Sequence, residues 1–348
     1  MQNGTISVNR GVKMAAAQIR MREYPGARPA REIWQLTHDP VRSVKDGEVA
    51  VAIHTISIDP GMSGWITDKR SYMPPVKPSG VMRAFGVGEV TESKSDLFSV
   101  GDWVTGFTGV QTHGVHRAEN LRRIDTSLAQ PDKYLSGLGM TGYTGYFGMS
   151  DLGQPNAEET VVVSAASGAV GSIAAQVAKA AGARVIGIAG GPKKCAYLLD
   201  ELGLDAAIDY KNSDVGEALA QACPDEIDLY FDNVGGETLE AVLGLMKYRG
   251  RIVVCGGISQ YDDFAGARGP ANFMSVVTHS LTIRGFTMRD YMHRVPEALE
   301  WLVPAWKDGR LKMREHIVDG IENFPDAYEM IFRGENHGKL LLKVGDAR

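Results

Sequence analysis

The spacing of apolar and polar residues divides the chain into three stretches of different character. The first third is β-rich. Residues 47–59, GEVAVAIHTISID, alternate well enough for a strand pair. AFGVGEVTES (84–93) and VGDWVTGFTGVQTHGVH (100–116) follow, with the Val, Thr, aromatic and Gly content of strands and tight turns. This is the composition of a compact β-barrel, without a repeat. In the middle the period changes. TVVVSA is a short apolar strand, and AVGSIAAQVAKAAG has helical spacing and stops at Gly182. ARVIGIAG is a second strand and PKKCAYLLDELG a helix, with Pro192 near its start and Gly203 at its end. DAAIDY, IDLYFDNVGG, GRIVVCGG and LTIRGFTM (281–288) are the next four strands. The helices SDVGEALAQAC and ETLEAVLGLM separate the first three of them. Strands alternating with helices at this interval predict βαβ units and a parallel sheet. After a helical stretch from about Tyr291 to Lys307, REHIVDG and KLLLKV return to strand, with the helix NFPDAYEMIFRG between them. The end of the chain is expected to rejoin the first stretch. The expected order is a polar tail at 1–13, then a β domain at 14–130 and 312–348 that encloses an α/β insert at 131–311.

Length and composition narrow the class. A chain of 348 residues is long enough for two cores. Hydrophobic residues at 44% and charged residues at 23% are ordinary for a soluble globular protein. A net charge of -5 gives no electrostatic case for nucleic acid or an acidic membrane as partner. The 41 glycines exceed the usual share of about 7% and suit a fold with many tight turns. The three cysteines, Cys195, Cys223 and Cys255, form no C-x-x-C, so neither a disulfide framework nor a cysteine zinc site is indicated. The first twenty residues lack the apolar core of a signal peptide. A reduced, cytoplasmic setting is expected. The uncharged run Val161–Ala178 is long enough to span a bilayer. It is dominated by Ala, Ser and Gly, with no Lys/Arg asymmetry or aromatic belt around it, and membrane insertion is not expected.

That same run carries the candidate chemistry. Ala165-x-x-Gly168-x-x-Gly171 follows a strand and opens a helix. Gly168 would let backbone approach a pyrophosphate, Gly171 would let the helix pack on the sheet, and the helix N-terminus would offer free N–H groups. The first glycine of the usual G-x-G-x-x-G is replaced by Ala166, so the motif alone is weak. Its support is the α/β pattern around it. An NAD site carries an acid about 20 residues on, at the end of the second strand. Here that place reads Ile188-Ala189-Gly190-Gly191, followed by Lys193 and Lys194, and Tyr210 ends the third strand. A 2′-phosphate would favour a lysine there, so NADPH is expected rather than NADH. Two lysines in a first helical turn oppose the helix dipole, which points to a functional reason for them.

The stretches SIDPGMSG, GVGEV, GDWVTGF, GLGMTGYTGYFGM, SAASGAVGS, AGGPKKCAYL, DLYFDNVGG, VCGGISQY, IRGF and GENHGK together resemble one family. It is the zinc-independent alkenal/one (double-bond) reductase family of the medium-chain dehydrogenase/reductase superfamily, which includes prostaglandin reductase, leukotriene B4 12-hydroxydehydrogenase, plant double-bond reductase and bacterial curcumin reductase. The resemblance runs from about Ile33 to Val344. It implies a GroES-like catalytic domain joined to a Rossmann domain, a doubly wound parallel sheet. It implies that Lys194 and Tyr210 hold the adenosine 2′-phosphate and that Asn233 and Asn336 lie along the cofactor. Thr144, Ala165, Gly168, Ala169, Val170, Gly171, Gly190, Cys255 and Ser259 complete the expected NADPH site. Tyr261 would lie near the reacting carbonyl, with Met62, Tyr72 and Tyr291 as further substrate contacts. Where the family has Tyr-Met-Arg after Asp-Pro, this chain has Gly61-Met62-Ser63, which implies a wider substrate mouth.

No metal is expected. Zinc-dependent cousins need a Cys in the first domain, and none occurs before Cys195. His54, His113 and His116 show no ligand spacing and read as surface or loop histidines. Without a Lewis acid, alcohol oxidation is disfavoured. Reduction of a C=C bond conjugated to a carbonyl needs only hydride delivery to the β carbon and a donor for the enolate oxygen. Tyr261, after the fifth strand at its carboxyl end, is the candidate donor. The reading is an NADPH-dependent reductase of α,β-unsaturated ketones and aldehydes, with a quinone reductase or a non-catalytic NADPH-binding protein as alternatives. The apolar strand LTIRGFTM at the sheet edge is expected to pair two copies into a homodimer.

Overall fold

The computed structural model describes residues 15–25, 31–69, 71, 73–261 and 268–345. The polar tail expected at 1–13 lies outside the described residues. The chain opens with the antiparallel pair β1 (Ala15–Met21) and β2 (Trp34–Pro40). A barrel-like sheet follows from β3 (Glu48–Ser57), β4 (Phe85–Ser93), β5 (Trp103–Phe107), β6 (His113–Arg117) and β7 (Leu121–Arg123). The strand pair expected in 47–59 is one ten-residue strand. Its register against β4 shifts between Ala50 and Val51 and again between Ile53 and Thr55. Such bulges bend a strand, so β3 curves enough to pair with β4 and β6 and, near its end, with a strand from the C-terminus. His54 lies on β3, and His113 and His116 on β6. They are strand residues, not the loop or surface histidines expected. His54 is buried against the Trp103 ring, at 4.7 Å between centroids.

The middle of the chain is a doubly wound sheet. Helix α1 (Met140–Phe147) leads to β8 (Thr160–Val163), α2 (Ala169–Ala180), β9 (Arg184–Ala189), α3 (Pro192–Ala196), β10 (Ala206–Asp209), α4 (Val215–Ala222), β11 (Ile227–Asp232), α5 (Gly236–Leu243), β12 (Met246–Val254), α6 (Ser275–Thr278) and β13 (Thr282–Gly285). The six strands are parallel in the order β10-β9-β8-β11-β12-β13. That is the Rossmann order, with its switch point between β8 and β11. Val161, Val162 and Val163 are 0% exposed because helices cover both faces. Each such side chain is worth roughly 1.5–3 kcal/mol of burial. The helix expected over 192–203 continues beyond α3 as a wider π-helical turn at Tyr197–Glu201.

After α7 (Val295–Lys307), the strands β14 (Glu315–Asp319) and β15 (Lys339–Lys343) flank α8 (Phe324–Arg333). They extend the first sheet, with β15 antiparallel to β3. The C-terminal return therefore brings residues 334–340 to the carboxyl ends of the Rossmann strands, where they share one cleft with them.

Candidate active site

A cleft of about 2390 Å³ lies between the barrel and the parallel sheet. Thr144, Ala165, Gly168, Ala169, Val170, Gly171, Gly190, Lys194, Tyr210, Asn233, Cys255, Ser259, Tyr261 and Asn336 all line it. The phosphate turn forms one wall. Ala165 has φ +47°, a left-handed conformation uncommon for a residue with a side chain. The turn folds back so tightly that a Cβ on Gly171 would collide with the Ala165 carbonyl oxygen. Gly168 precedes α2 and supplies no capping side chain, so the first N–H groups of the helix face the cleft with no cap of their own. An uncapped helix start behind a glycine turn fits a pyrophosphate.

The adenosine end is built from three segments. Gly190 lies under the Tyr210 ring, and a Cβ there would sit 2.8 Å from it. Lys194 is 9% exposed, and its Nζ donates to the Gly334 carbonyl at 2.8 Å. Gly334 caps α8 in the left-handed region with φ +63°. Burial lowers the Lys194 pKa, and the nearby Lys211 lowers it further. Lys194 has no ion-pair partner among the described residues. The nearest strand-end acid, Asp209, is occupied: it accepts N–H bonds from Gly191 at 2.7 Å and Lys211 at 3.0 Å, and from the Asn212 amide at 2.7 Å. Sequence reasoning missed that role. The buried cation of Lys194 fits a 2′-phosphate, while the Asp209 carboxylate is turned to the backbone N–H groups of Gly191 and Lys211.

Across the switch point, Asp232 ends β11 as a polar hub. It accepts from Tyr230 Oη at 2.8 Å, Val234 N at 2.9 Å and Gly235 N at 2.8 Å. Burial raises its pKa while the backbone N–H groups oppose the rise. The hub fixes the turn that carries Asn233, whose Nδ2 donates to the Ser164 carbonyl at 2.7 Å. Ser259 Oγ donates to the Val234 carbonyl at 2.6 Å. Cys255 is pushed up to about 12 by burial and then by Asp232, so its thiol is neutral. Tyr261 follows the short turn after β12, and its oxygen accepts the Gly257 N–H at 3.2 Å. Gly256 permits this close approach, since a Cβ there would lie 3.0 Å from that oxygen. Burial raises the Tyr261 pKa, so the phenol is protonated at neutral pH.

The expected substrate residues fare differently. Met62 is 0% exposed in the barrel core and does not line the cleft. The turn Pro60–Trp65 points it inward and leaves Gly61 and Trp65 on the cleft wall. Tyr291 is 6% exposed, stacks on Phe147 and donates to Asp151 at 2.9 Å. It braces the fold beneath the cleft instead of lining it. Tyr72 lies outside the described residues. Phe85 and Phe107, 3.9 Å apart, form an aromatic wall with Trp65 that local patterns did not reveal. Among the described residues, no three His, Cys, Asp or Glu side chains converge as a metal donor set.

Comparison with known proteins agrees with this geometry. The family described as "N-terminal domain of oxidoreductase" matches residues 17–124, and "Zinc-binding dehydrogenase" matches residues 169–303. An NADPH-dependent curcumin reductase of Escherichia coli is 37% identical over 325 residues, 92% of this chain and 94% of the relative. A 2-alkenal reductase (NADP(+)-dependent) of Nicotiana tabacum is 35% identical over 333 residues, 94% of this chain and 97% of the relative. The crystal structure of CurA from Vibrio vulnificus in complex with NADPH superposes with a TM-score of 0.91 at 36% identity, covering 95% of this chain and 100% of that one. Both halves of the chain, the Rossmann strand order and these full-length relatives place it in the medium-chain dehydrogenase/reductase superfamily, and within that superfamily it belongs to the alkenal/one reductase family.

Proposed function

We propose that this chain reduces the C=C bond of α,β-unsaturated ketones and aldehydes with NADPH. The observation that carries the reading is the convergence in one cleft of the uncapped glycine turn, the buried Lys194 and the protonated Tyr261. When bound, NADPH supplies a hydride. The chain's own groups do the rest. The N-terminus of α2 holds phosphate, and Lys194 with Tyr210 holds the 2′-phosphate. Tyr261 donates a hydrogen bond to the substrate carbonyl oxygen. That bond strengthens as hydride reaches the β carbon and the oxygen takes on enolate charge, so it favours the transition state over the ground state, and the enolate then takes a proton from solvent at its α carbon. The Phe85, Phe107 and Trp65 wall offers the substrate an apolar surface to pack against. NADPH oxidation over a panel of enones, enals and quinones, with product identification, tests the reading. Saturated ketone or aldehyde products support it. Turnover of quinones alone, or no NADPH oxidation with any acceptor, refutes it.

We further take the working unit to be a homodimer in the cytoplasm. β13 is exposed along its length at the sheet edge, with Ile283 on it and Phe273, Met274 and Val277 exposed before it. An open apolar edge of this kind favours pairing with a second copy. Light scattering at micromolar concentration is expected to give twice the chain mass, and a monomer mass would refute the pairing. No described helix is long and apolar enough to cross a membrane.

A further inference from the structure

The barrel side of the cleft holds a buried cation that none of the steps above uses. Lys339, the first residue of β15, is 2% exposed and lines the cleft. Lysines are almost never buried this deeply without a partner. Its Nζ donates to the Ile58 carbonyl at 2.8 Å and to Asp59 Oδ1 at 2.7 Å. Asp59 also accepts a hydrogen bond from Ser57 Oγ.

The pair sits where two walls of the cleft meet. On the Lys339 side, Asn336 and Gly338 line the cleft, and Asn336 Nδ2 donates to the Gly338 carbonyl at 2.8 Å. Gly338 has φ +81°, and a Cβ there would collide with the Arg314 carbonyl oxygen, so this turn is fixed in place. On the Asp59 side begins the turn Pro60–Trp65, which presents Gly61 and Trp65 to the cleft. The middle of that turn is anchored by Met62 in the core and by a 2.8 Å hydrogen bond between Ser63 Oγ and Tyr328 Oη. Its near end is held by the Lys339–Asp59 contact and by the Ile58 N–H, which donates to the Leu340 carbonyl at 3.1 Å.

We propose that Lys339 is a positioning residue. Through Asp59 it sets the Pro60–Trp65 turn against the wall that carries Asn336, and so fixes the width of the cleft where the enone enters. The identity of the substrate rests on the enone-reductase reading; the positioning of the turn does not. Asp59 is the residue that this turn shares with the buried lysine, which makes the pair a joint between the cofactor wall and the substrate wall. Removing the cation leaves a partly buried carboxylate without its partner, and the turn must shift to hydrate it.

The test compares Lys339→Met, Asp59→Asn and the double variant with wild type in three measurements. The first is the steady-state split between KM and kcat for one enone. Loss of a charge-assisted contact is expected to raise the enone KM for Lys339→Met by roughly 10-fold, with kcat at saturation changing less. The second is the NADPH Kd by fluorescence titration, expected to move less than the enone KM, because the residues assigned to the phosphates, Lys194, Tyr210 and the start of α2, belong to other elements. The third uses the ligand-free protein. The emission of Trp65, isolated by difference against Trp65→Phe in each background, should shift to the red as the turn opens. The double variant, which removes the stranded anion, should recover part of the KM. If Lys339→Met does not fold, Asp59→Asn is read by the same three measurements. An unchanged enone KM, an NADPH Kd that moves as far as the KM, or a Trp65 emission that stays put would each overturn the proposal. If wild type reduces no enone, the reading of the reaction fails, and the Trp65 emission still decides the positioning.

Discussion

Truncating Lys194 to alanine separates the two nicotinamide cofactors. Its Nζ lies 2.8 Å from the Gly334 carbonyl in a site 9% exposed to water. Solvent screening therefore removes little of its interaction with a phosphate. A charge-assisted contact is worth roughly 1.5–3 kcal/mol, so the Kd for NADPH should rise by about 10- to 150-fold. NADH, which has no 2′-phosphate, should bind the variant and wild type nearly alike. The pair 2′,5′-ADP and 5′-AMP isolates the same difference without the nicotinamide. The pH dependence follows from the direction of the lysine shift. Burial and Lys211 lower the Lys194 pKa, so as pH rises the lysine of the free protein loses its proton earlier than an exposed lysine would. A 2′-phosphate favours the charged form. NADPH affinity should then fall as pH rises through that titration, and Lys194→Ala should lose this dependence. Fluorescence titration or calorimetry over an alkaline series measures both effects. Equal losses for NADPH and NADH, or a pH dependence that survives in the variant, would refute the assignment.

Three further outcomes are expected. Tyr261→Phe should lower kcat by roughly 10- to 100-fold, with KM little changed because the ring remains. Single-turnover hydride transfer checks this, and an unchanged hydride step would make Tyr261 a wall of the pocket only. Gly171→Ala should cost roughly 1–3 kcal/mol of stability, because the new methyl meets the Ala165 carbonyl oxygen, and should weaken NADPH binding by distorting the turn. Thermal melts with cofactor titrations show both. Burial lowers the His116 pKa to about 4, and its buried Nε2 has no hydrogen-bond partner among the described residues. The unfolded chain therefore takes up that proton first as pH falls, so stability is full above about 6.5, the ordinary histidine value, and declines towards about 4. Denaturant melts of His116→Phe should show a shallower decline across that window, and an identical decline would rule out His116 as its source.

The elements that could be read from the sequence are those whose cause is local. β8, α2 and the turn between them depend on a dozen consecutive residues, and the alternation of strands and helices through LTIRGFTM placed every strand of the parallel sheet. The same holds for the adenosine end. Gly190 and Tyr210 each follow directly on a strand end and Lys194 lies in the first turn of the helix after β9, so the positions of neighbouring elements bring them together. Where the local pattern misleads, the reason is curvature or side-chain direction. The bulges in β3 leave its alternation looking like two strands. Met62 was expected at the substrate mouth because the family resemblance places the loop after Asp59-Pro60 there. A 3-10 turn has about three residues per turn, so neighbours within it point in different directions, and here Met62 faces the core while Gly61 faces the cleft.

Contacts between residues far apart in sequence leave no local trace. Lys194 is satisfied by Gly334, 140 positions away, and Lys339 by Asp59, 280 positions away. The first contact joins the parallel sheet to the C-terminal return and the second joins the two ends of the chain within the barrel sheet, and both depend on the return of β14 and β15 to that sheet. In isolation Lys339 looks like the polar start of an edge strand. Its burial becomes visible only once β15 is known to lie between β14 and β3, with Ile58 and Asp59 just beyond the end of β3. A chain that closes its cleft with its own C-terminal strands must place the partners of cleft residues at opposite ends of the sequence. The glycine turn is therefore complete in a short stretch of sequence, while the groups that set the width of the cleft are divided between the two ends of the chain.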